Sequence, residues 1–276
     1  MKMLIAVCIL VLAACAGNPR QAEELPNLKT VEIPDYESDR GIGWASSREA
    51  YEAARADGRF LFQQFTYVSD GLTVGAYLYR AREPHRERMP VVIFNRGSNG
   101  WAGRDELGGA DLHDLLNLPR EIARIQGADP SRLFLAGESR GGAMVYMALR
   151  DGFPARAAAV WGAFTDLQPL LAAGPQAGAA TSIWPQYENN REELYRTRSA
   201  LRWADKINLP LLIMHGGADE DIPLSQSQRM DAELSRLDKL HEFRVFEGQQ
   251  HVIGGRGAER DAATVAWFER FGARAE

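Results

Sequence analysis

Cysteine is almost absent from the 276-residue chain: Cys8 and Cys15 are its only two. Past residue 15 there is no thiol to form a disulfide, hold a metal or act as a nucleophile. Histidine is scarce as well, with five in all, and no two of them have the i, i+4 spacing of a helical metal pair. Neither a metal nor a cofactor is expected. Positive charge is not in excess, since 32 Lys and Arg stand against 37 Asp and Glu, a net charge of −5. Nothing resembles a basic stripe, which argues against a nucleic-acid partner. No 20–50-residue repeat and no low-complexity block is present. No apolar run reaches the roughly 20 residues that span a bilayer. What remains, 45% hydrophobic and 25% charged, has the balance of one large globular domain with a sizeable core.

The N-terminus differs from the rest. "MKMLIAVCILVLAACAGN" has one positive charge, Lys2, and then an apolar run from Met3 to Ala14, as in the core of a signal peptide. Its end, Leu12-Ala13-Ala14-Cys15, resembles the lipobox of bacterial lipoproteins, which are cut before the cysteine and acylated on it. That resemblance implies a signal peptide over 1–14, lipidation at Cys15, and export to the cell envelope. Ala16 rather than Asp resembles the outer-membrane sorting signal, with the domain on the periplasmic face in a Gram-negative cell. Two or three acyl chains anchor stably where one binds only marginally. The alternative is an ordinary secretory signal cut near Ala14 or Ala16. Residues 15–45 are polar and contain Pro19, Pro26 and Pro34, which suits a tether. The folded domain is assigned to 46–276.

Along that domain, "SSREAYEAARADG" predicts a short helix, with Ser46 and Glu49 at capping-box spacing. Two runs rich in aromatic and β-branched residues around Ser69-Asp70-Gly71 predict a hairpin. "MPVVIFNRG" predicts a buried strand, and the stretch from 111 to 127 a helix kinked at Pro119. "DPSRLFLAG" and "RGGAMVYMALRDG" then predict a strand followed by a helix. Further strands are predicted at 157–161, 210–215 and 242–247, and helices near 225–238 and 257–271. Residues 162–205 show no clear period. Strands alternating with helices imply an α/β fold, a mostly parallel doubly wound sheet covered on both faces.

Chemistry concentrates in Gly137-Glu138-Ser139-Arg140-Gly141, between a predicted strand and a predicted helix. This is the nucleophile-elbow pattern, a sharp turn that lifts a serine hydroxyl above the sheet. The serine also sits at a helix N-terminus, which favours developing negative charge. A serine needs a base, and in an α/β-hydrolase the order is Ser, acid, His. "LPLLIMHGGADEDIP" places Asp219 after a strand, with Asp221 as its competitor, and "FRVFEGQQHVIGG" places His251 after the last strand. His215 reads as a structural residue at its strand end. His85, His113 and His241 lie in polar or helical contexts.

"YVSDGLTVGAYLYRA", "GRDELGGADLHDLLNL", "DPSRLFLAGESRGGAMVYMAL", "RSALRWADKINLPLLIMHGGADEDIPLSQS" and "GQQH" together resemble the catalytic domain of the prolyl oligopeptidase family of serine peptidases. The resemblance covers about residues 45–275. It implies an α/β-hydrolase fold, with Ser139 as nucleophile, Asp219 as acid and His251 as base. It also implies an oxyanion hole made by the backbone N–H groups of Arg140 and Ser98, and hydrolysis of a small peptide without a cofactor. Larger members carry a β-propeller that filters substrates by size, for which this chain has no room. The same site chemistry serves esters, so a carboxylesterase resembling dienelactone hydrolase is the alternative. A non-catalytic envelope protein on a degenerate hydrolase fold is the reading from another class, and the intact Ser, Asp and His argue against it. Trp184, Tyr187 and Trp203, in the stretch without clear period, either shape the pocket as a small cap or simply pack. Oligomeric state is not legible.

One segment is short. In the family, a helix and a further strand follow the oxyanion loop, and that strand lies between the second and third strands of the sheet. Here "VVIFNRG" runs directly into "SNGWAGRDELGGADLHDLL", with no apolar run for a buried strand. The expectation is that this helix and strand are missing. Either the 72–80 strand shifts to pair with 91–95, a second chain supplies the pairing, or the domain folds poorly; the first is favoured, and it leaves Ser98 poorly supported and activity weakened.

Overall fold

The computed structural model describes residues 6–10, 14–16, 27–38, 46–83, 87–95, 106–173, 180, 184 and 187–273. The central sheet is parallel throughout. Its strands lie in the order β1 (Ala6–Leu10), β6 (Met89–Asn95), β7 (Ala128–Glu138), β8 (Ala155–Trp161), β9 (Leu211–Gly216) and β10 (His241–Phe246). A second, antiparallel sheet has the order β2 (Ala14–Ala16), β5 (Leu72–Ala81), β4 (Phe60–Ser69) and β3 (Lys29–Thr30). The β4–β5 hairpin closes through Asp70 and Gly71, at φ 47° and 82°. Positive φ at both central residues is what a type I′ turn requires, and its twist matches that of the strands. Diagonal aromatic pairs cross the hairpin: Phe60 stacks on Tyr79 at 4.9 Å and Phe62 on Tyr77 at 5.1 Å.

Alternation along the central strands divides the core into two layers. In β7, Leu133 and Leu135 face one side, where they join a cluster with α2 (Leu112–Ile122) and α3 (Arg140–Arg150). Phe134 and Ala136 face the other and join α7 (Gly257–Phe271), with Phe134 stacked on Phe268 at 4.8 Å. Burying a side chain of this size stabilises the fold by roughly 1.5–3 kcal/mol. The helix α1 (Arg48–Ala56) starts one residue later than the capping-box spacing suggests. Ser47, not Ser46, is its cap, accepting the Ala50 N–H at 3.2 Å.

Two expectations are corrected. Residues 162–205 are largely helical, containing α4 (Leu167–Ala173), α5 (Tyr187–Arg198) and a 3₁₀ segment over Ala200–Lys206. Nor does the 72–80 strand shift onto 91–95. The slot beside β6 is taken by β1, with Ala6 opposite Val91 and Leu10 opposite Asn95, and β5 lies near β1 but belongs to the second sheet. An apolar segment satisfies the open hydrogen-bonding edge of a parallel strand, which a displaced hairpin would do only by losing its own pairing. Among the described residues no strand lies between β6 and α2, and most of the shortened segment, 96–105, lies outside them. No helix among the described residues is long and apolar enough to cross a membrane.

Because the strands are parallel, the ends of β7, β8, β9 and β10 come to one edge, with Glu138 opposite Trp161 and His215 opposite Val245. Loops leaving that edge are where α/β sheets place their sites. The helix α6 (Ser225–Arg236) follows β9 on that side.

Candidate active site

Ser139 alone connects β7 to α3. Its φ of 55° and ψ of −124° are rare for a residue with a side chain. A Cβ on Gly137 would stand 2.6 Å from Gly141 O and 2.8 Å from Gly142 N, so only glycine lets the turn close this tightly. Ser139 N–H donates to Trp161 O at 2.8 Å, tying the elbow to the neighbouring strand.

His251 is carried on the loop after β10. This loop lies directly on the end of β9: a Cβ on Gly216 would be 2.3 Å from Gln250 O and 2.4 Å from Gln249 O. Ala218 N–H donates to Gln249 O at 2.9 Å. Two residues beyond His251, Ile253 takes left-handed φ/ψ (55°, 34°), costly for a β-branched residue, while its side chain is fully buried against the α7 layer. The buried side chain fastens the loop to the core.

These elements bring three of the sequence-predicted residues into one hydrogen-bonded chain. Ser139 Oγ lies 2.7 Å from His251 Nε2, and His251 Nδ1 lies 2.8 Å from Asp219 Oδ2. The Asp219 carboxyl accepts only, so Nδ1 carries the hydrogen and Nε2 is free to accept from the serine hydroxyl. Asp219 Oδ1 accepts from Asp221 N at 3.0 Å and Ile222 N at 2.8 Å. The Asp219 side chain is fully buried. Burial alone would raise its pKa. Hydrogen bonds from His215, His251 and Ile222 N–H, with the charge of His251, outweigh it and hold the carboxyl well below the usual range. His251 responds in the opposite sense. Burial would lower its pKa, but the hydrogen bond and charge of Asp219, with Asp221 and Glu138 beyond, raise it above the ordinary histidine value.

Asp221, the competing acid, is exposed and contributes its backbone N–H to Asp219. Ligand atoms of Asp219, Asp221 and His251 fall within 4.8 Å of one another, but Asp219 and both nitrogens of His251 are already engaged in the chain above. Arg140 begins α3, where backbone N–H groups have no intrahelical partner. Its guanidinium pairs with Asp111 at 3.1 Å, and Asp111 also accepts from Gly108 N. Ser98 lies outside the described residues. Trp184 and Tyr187 are both 8% exposed and packed in the core. The Trp184 indole donates to Glu106 O at 2.9 Å, and the Tyr187 and Tyr195 hydroxyls meet at 2.5 Å. Cys15 falls within β2, opposite Thr73.

Sequence reasoning did not anticipate two neighbours of the chain. His215 Nε2 is 3.1 Å from Asp219 Oδ2, a contact hinted at only by the i, i+4 spacing across His215-Gly-Gly-Ala-Asp219. Gly162 lies against the His251 ring, and no local pattern marks it.

Known proteins resemble this chain over much of its length. The family model described as the prolyl oligopeptidase family matches residues 90–273, about two thirds of the chain. The chain is 28% identical over 200 residues to the uncharacterized peptidase YuxL of Bacillus subtilis (strain 168), covering 65% of this chain and 29% of that protein. It is 25% identical over 168 residues to the uncharacterized peptidase YtmA of the same organism, covering 58% of this chain and 63% of that protein. The chain thus spans less than two thirds of both curated relatives. Among solved structures, the Pyrococcus horikoshii acylaminoacyl peptidase superposes with a TM-score of 0.67 at 21% identity, over 82% of this chain and 44% of that one. Porphyromonas gingivalis dipeptidyl peptidase 4 gives 0.66 at 17% identity, over 80% and 37%. These structural likenesses establish the α/β-hydrolase fold. With the family model spanning the elbow and both loops that carry Asp219 and His251, the chain belongs to the prolyl oligopeptidase family.

Proposed function

We propose that the protein is a serine peptidase in which Ser139 is the nucleophile, His251 the general base and Asp219 the acid. The observation that carries this is the unbroken chain from Ser139 Oγ through His251 to Asp219, at 2.7 and 2.8 Å, on a strained elbow. In the first step Ser139 Oγ bonds to the substrate carbonyl carbon as its proton passes to His251 Nε2. Asp219 holds the ring in the accepting tautomer and stabilises the imidazolium. The Arg140 N–H supports the developing oxyanion, with Ser98 N–H as the second donor that the family pattern implies. His251 then returns the proton to the leaving amine as the C–N bond breaks. Water, deprotonated by the same base, releases the acyl group. The relatives' names favour a peptide as substrate. Fluorophosphonate labelling tests the reading. Wild-type protein is expected to be labelled and the Ser139→Ala variant not, and a well-folded wild type that resists labelling would support a binding protein instead.

The N-terminal motif supports a second element of the proposal, anchoring of the exported domain to a membrane by acylation of Cys15.

A further inference from the structure

His215, the penultimate residue of β9, is a fully buried titratable side chain beside the triad that the mechanism above does not use. Its ring is fixed at both nitrogens. Nε2 lies 2.9 Å from Ile222 O and 3.1 Å from Asp219 Oδ2. Both partners only accept, so Nε2 carries a hydrogen and shares it between them. Nδ1 lies 2.7 Å from the hydroxyl of Ser227, itself 1% exposed in the first turn of α6. Asp219 therefore receives four donors: Asp221 N and Ile222 N on Oδ1, His215 and His251 on Oδ2. That fills the capacity of a carboxylate.

We propose that His215, held by Ser227, is a positioning residue for Asp219: it takes up one lone pair of Oδ2, so that the carboxylate cannot rotate and offers only the other to His251. This rests on the triad as read above. His215 also draws off part of the negative charge that Oδ2 presents to His251. The charged groups facing His251 are Asp219, Asp221 and Glu138, so losing the His215 donor leaves more negative charge on Oδ2, makes the imidazolium more stable and moves the acid limb up.

The test is the pH dependence of kcat and KM for the full chain carrying His215→Phe, His215→Gln or Ser227→Ala, each corrected for folded fraction by thermal melting. His215→Phe removes the donor, and kcat is expected to fall about 10–100-fold with KM nearly unchanged. The acid limb of kcat/KM moves to higher pH. His215→Gln keeps an N–H within reach of Oδ2 and is expected to bring back the limb and most of kcat. Ser227→Ala shifts the limb the same way by less. An acid limb that stays in place in His215→Phe would overturn the proposal. So would a Gln variant as impaired as the Phe variant with its limb unmoved, since packing alone would then explain the loss. If His215→Phe does not fold, Ser227→Ala decides, and an unmoved limb there overturns it. Turnover retained by His251→Ala would instead remove the triad reading itself, whatever His215 does.

Discussion

Gly162 lies directly against the ring of His251: a Cβ at position 162 would stand 3.1 Å from both Cε1 and Nδ1 of the imidazole and 2.7 Å from its backbone oxygen. Gly162 also has φ 57°, which a larger residue adopts only under strain. Gly162→Ala is expected to push the ring off line with Ser139 and lower kcat by roughly 10²-fold, the usual consequence of a displacement near 1 Å. Substrate affinity changes little. Steady-state kinetics check this, and a variant with normal kcat would show that the loop gives way without cost.

The pH profile of kcat/KM follows from His251. The base must be neutral to accept the serine proton, and its surroundings raise its pKa above the ordinary value. Activity is therefore expected to be lost on acidification at a pH above that of an unperturbed histidine. Replacing Asp219 by Asn removes the largest raising influences, while Asp221→Asn moves the limb down only slightly. Should Asp221→Asn move the limb further than Asp219→Asn, the acid has been misassigned.

Asp114 offers a stability measurement away from the site. Burial, with the neighbouring charges of Asp111 and Asp70, raises its pKa to about 6, against partial relief from Ser69 and His113. The folded state then holds this proton more tightly than the unfolded state. Stability is greatest below the unfolded value and declines as pH rises towards 6. Asp114→Asn is expected to stabilise the protein at pH 7.5 by about 1–2 kcal/mol, the pKa shift discounted for partial exposure. The gain disappears near pH 4. Urea unfolding at the two pH values decides, and an equal effect at both would place the origin elsewhere.

The Arg140–Asp111 pair joins the elbow to the loop before α2, with side chains 13% and 11% exposed. Asp111→Ala is expected to cost roughly 3 kcal/mol of stability, as for other buried pairs broken on one side. The double variant Asp111→Leu/Arg140→Met recovers part of it. Unchanged denaturation midpoints in the single variant would mean that the pair is idle.

Anchoring and strand pairing make opposite demands on the N-terminus. Acylation at Cys15 requires removal of residues 1–14, and these include β1, which covers the edge of β6. Cys15→Ser is expected to turn a membrane-bound protein into a soluble or unprocessed one. A chain starting at Cys15, made without lipid, should melt lower or self-associate through the uncovered edge. Mass spectrometry showing an unmodified Cys15 inside an uncut chain would sink the anchoring proposal and leave β1 as a permanent strand.

Most of the sheet was legible because its strands are continuous apolar runs, as in "RLFLAG" and "LPLLIMHG", bounded by glycine at the functional edge. The order Ser139, Asp219, His251 was legible for the same reason, each following a strand end. The helix α5 was not. "YENNREELYRTR" buries only Tyr187, Leu194 and Tyr195 and draws local support from pairs such as Glu193 with Arg196, so no apolar stripe marks it. The place of β1 was equally hidden. An apolar run near a chain's start has the same composition whether it is a leader or a strand, and only the vacancy beside β6 distinguishes them. The contacts of His215 and Gly162 depend on how separate loops meet above the sheet, which no local period encodes.

The backbone of Ser139 has one more consequence. A side chain held at φ 55° and ψ −124° raises the energy of the native state by about 1–3 kcal/mol. Ser139→Gly would relieve that strain and would also delete the hydroxyl. Selection for stability alone, by heat or protease resistance, is therefore expected to discard the hydroxyl before it touches the core, and glycine arising at this one position would mark a lineage in which turnover no longer mattered.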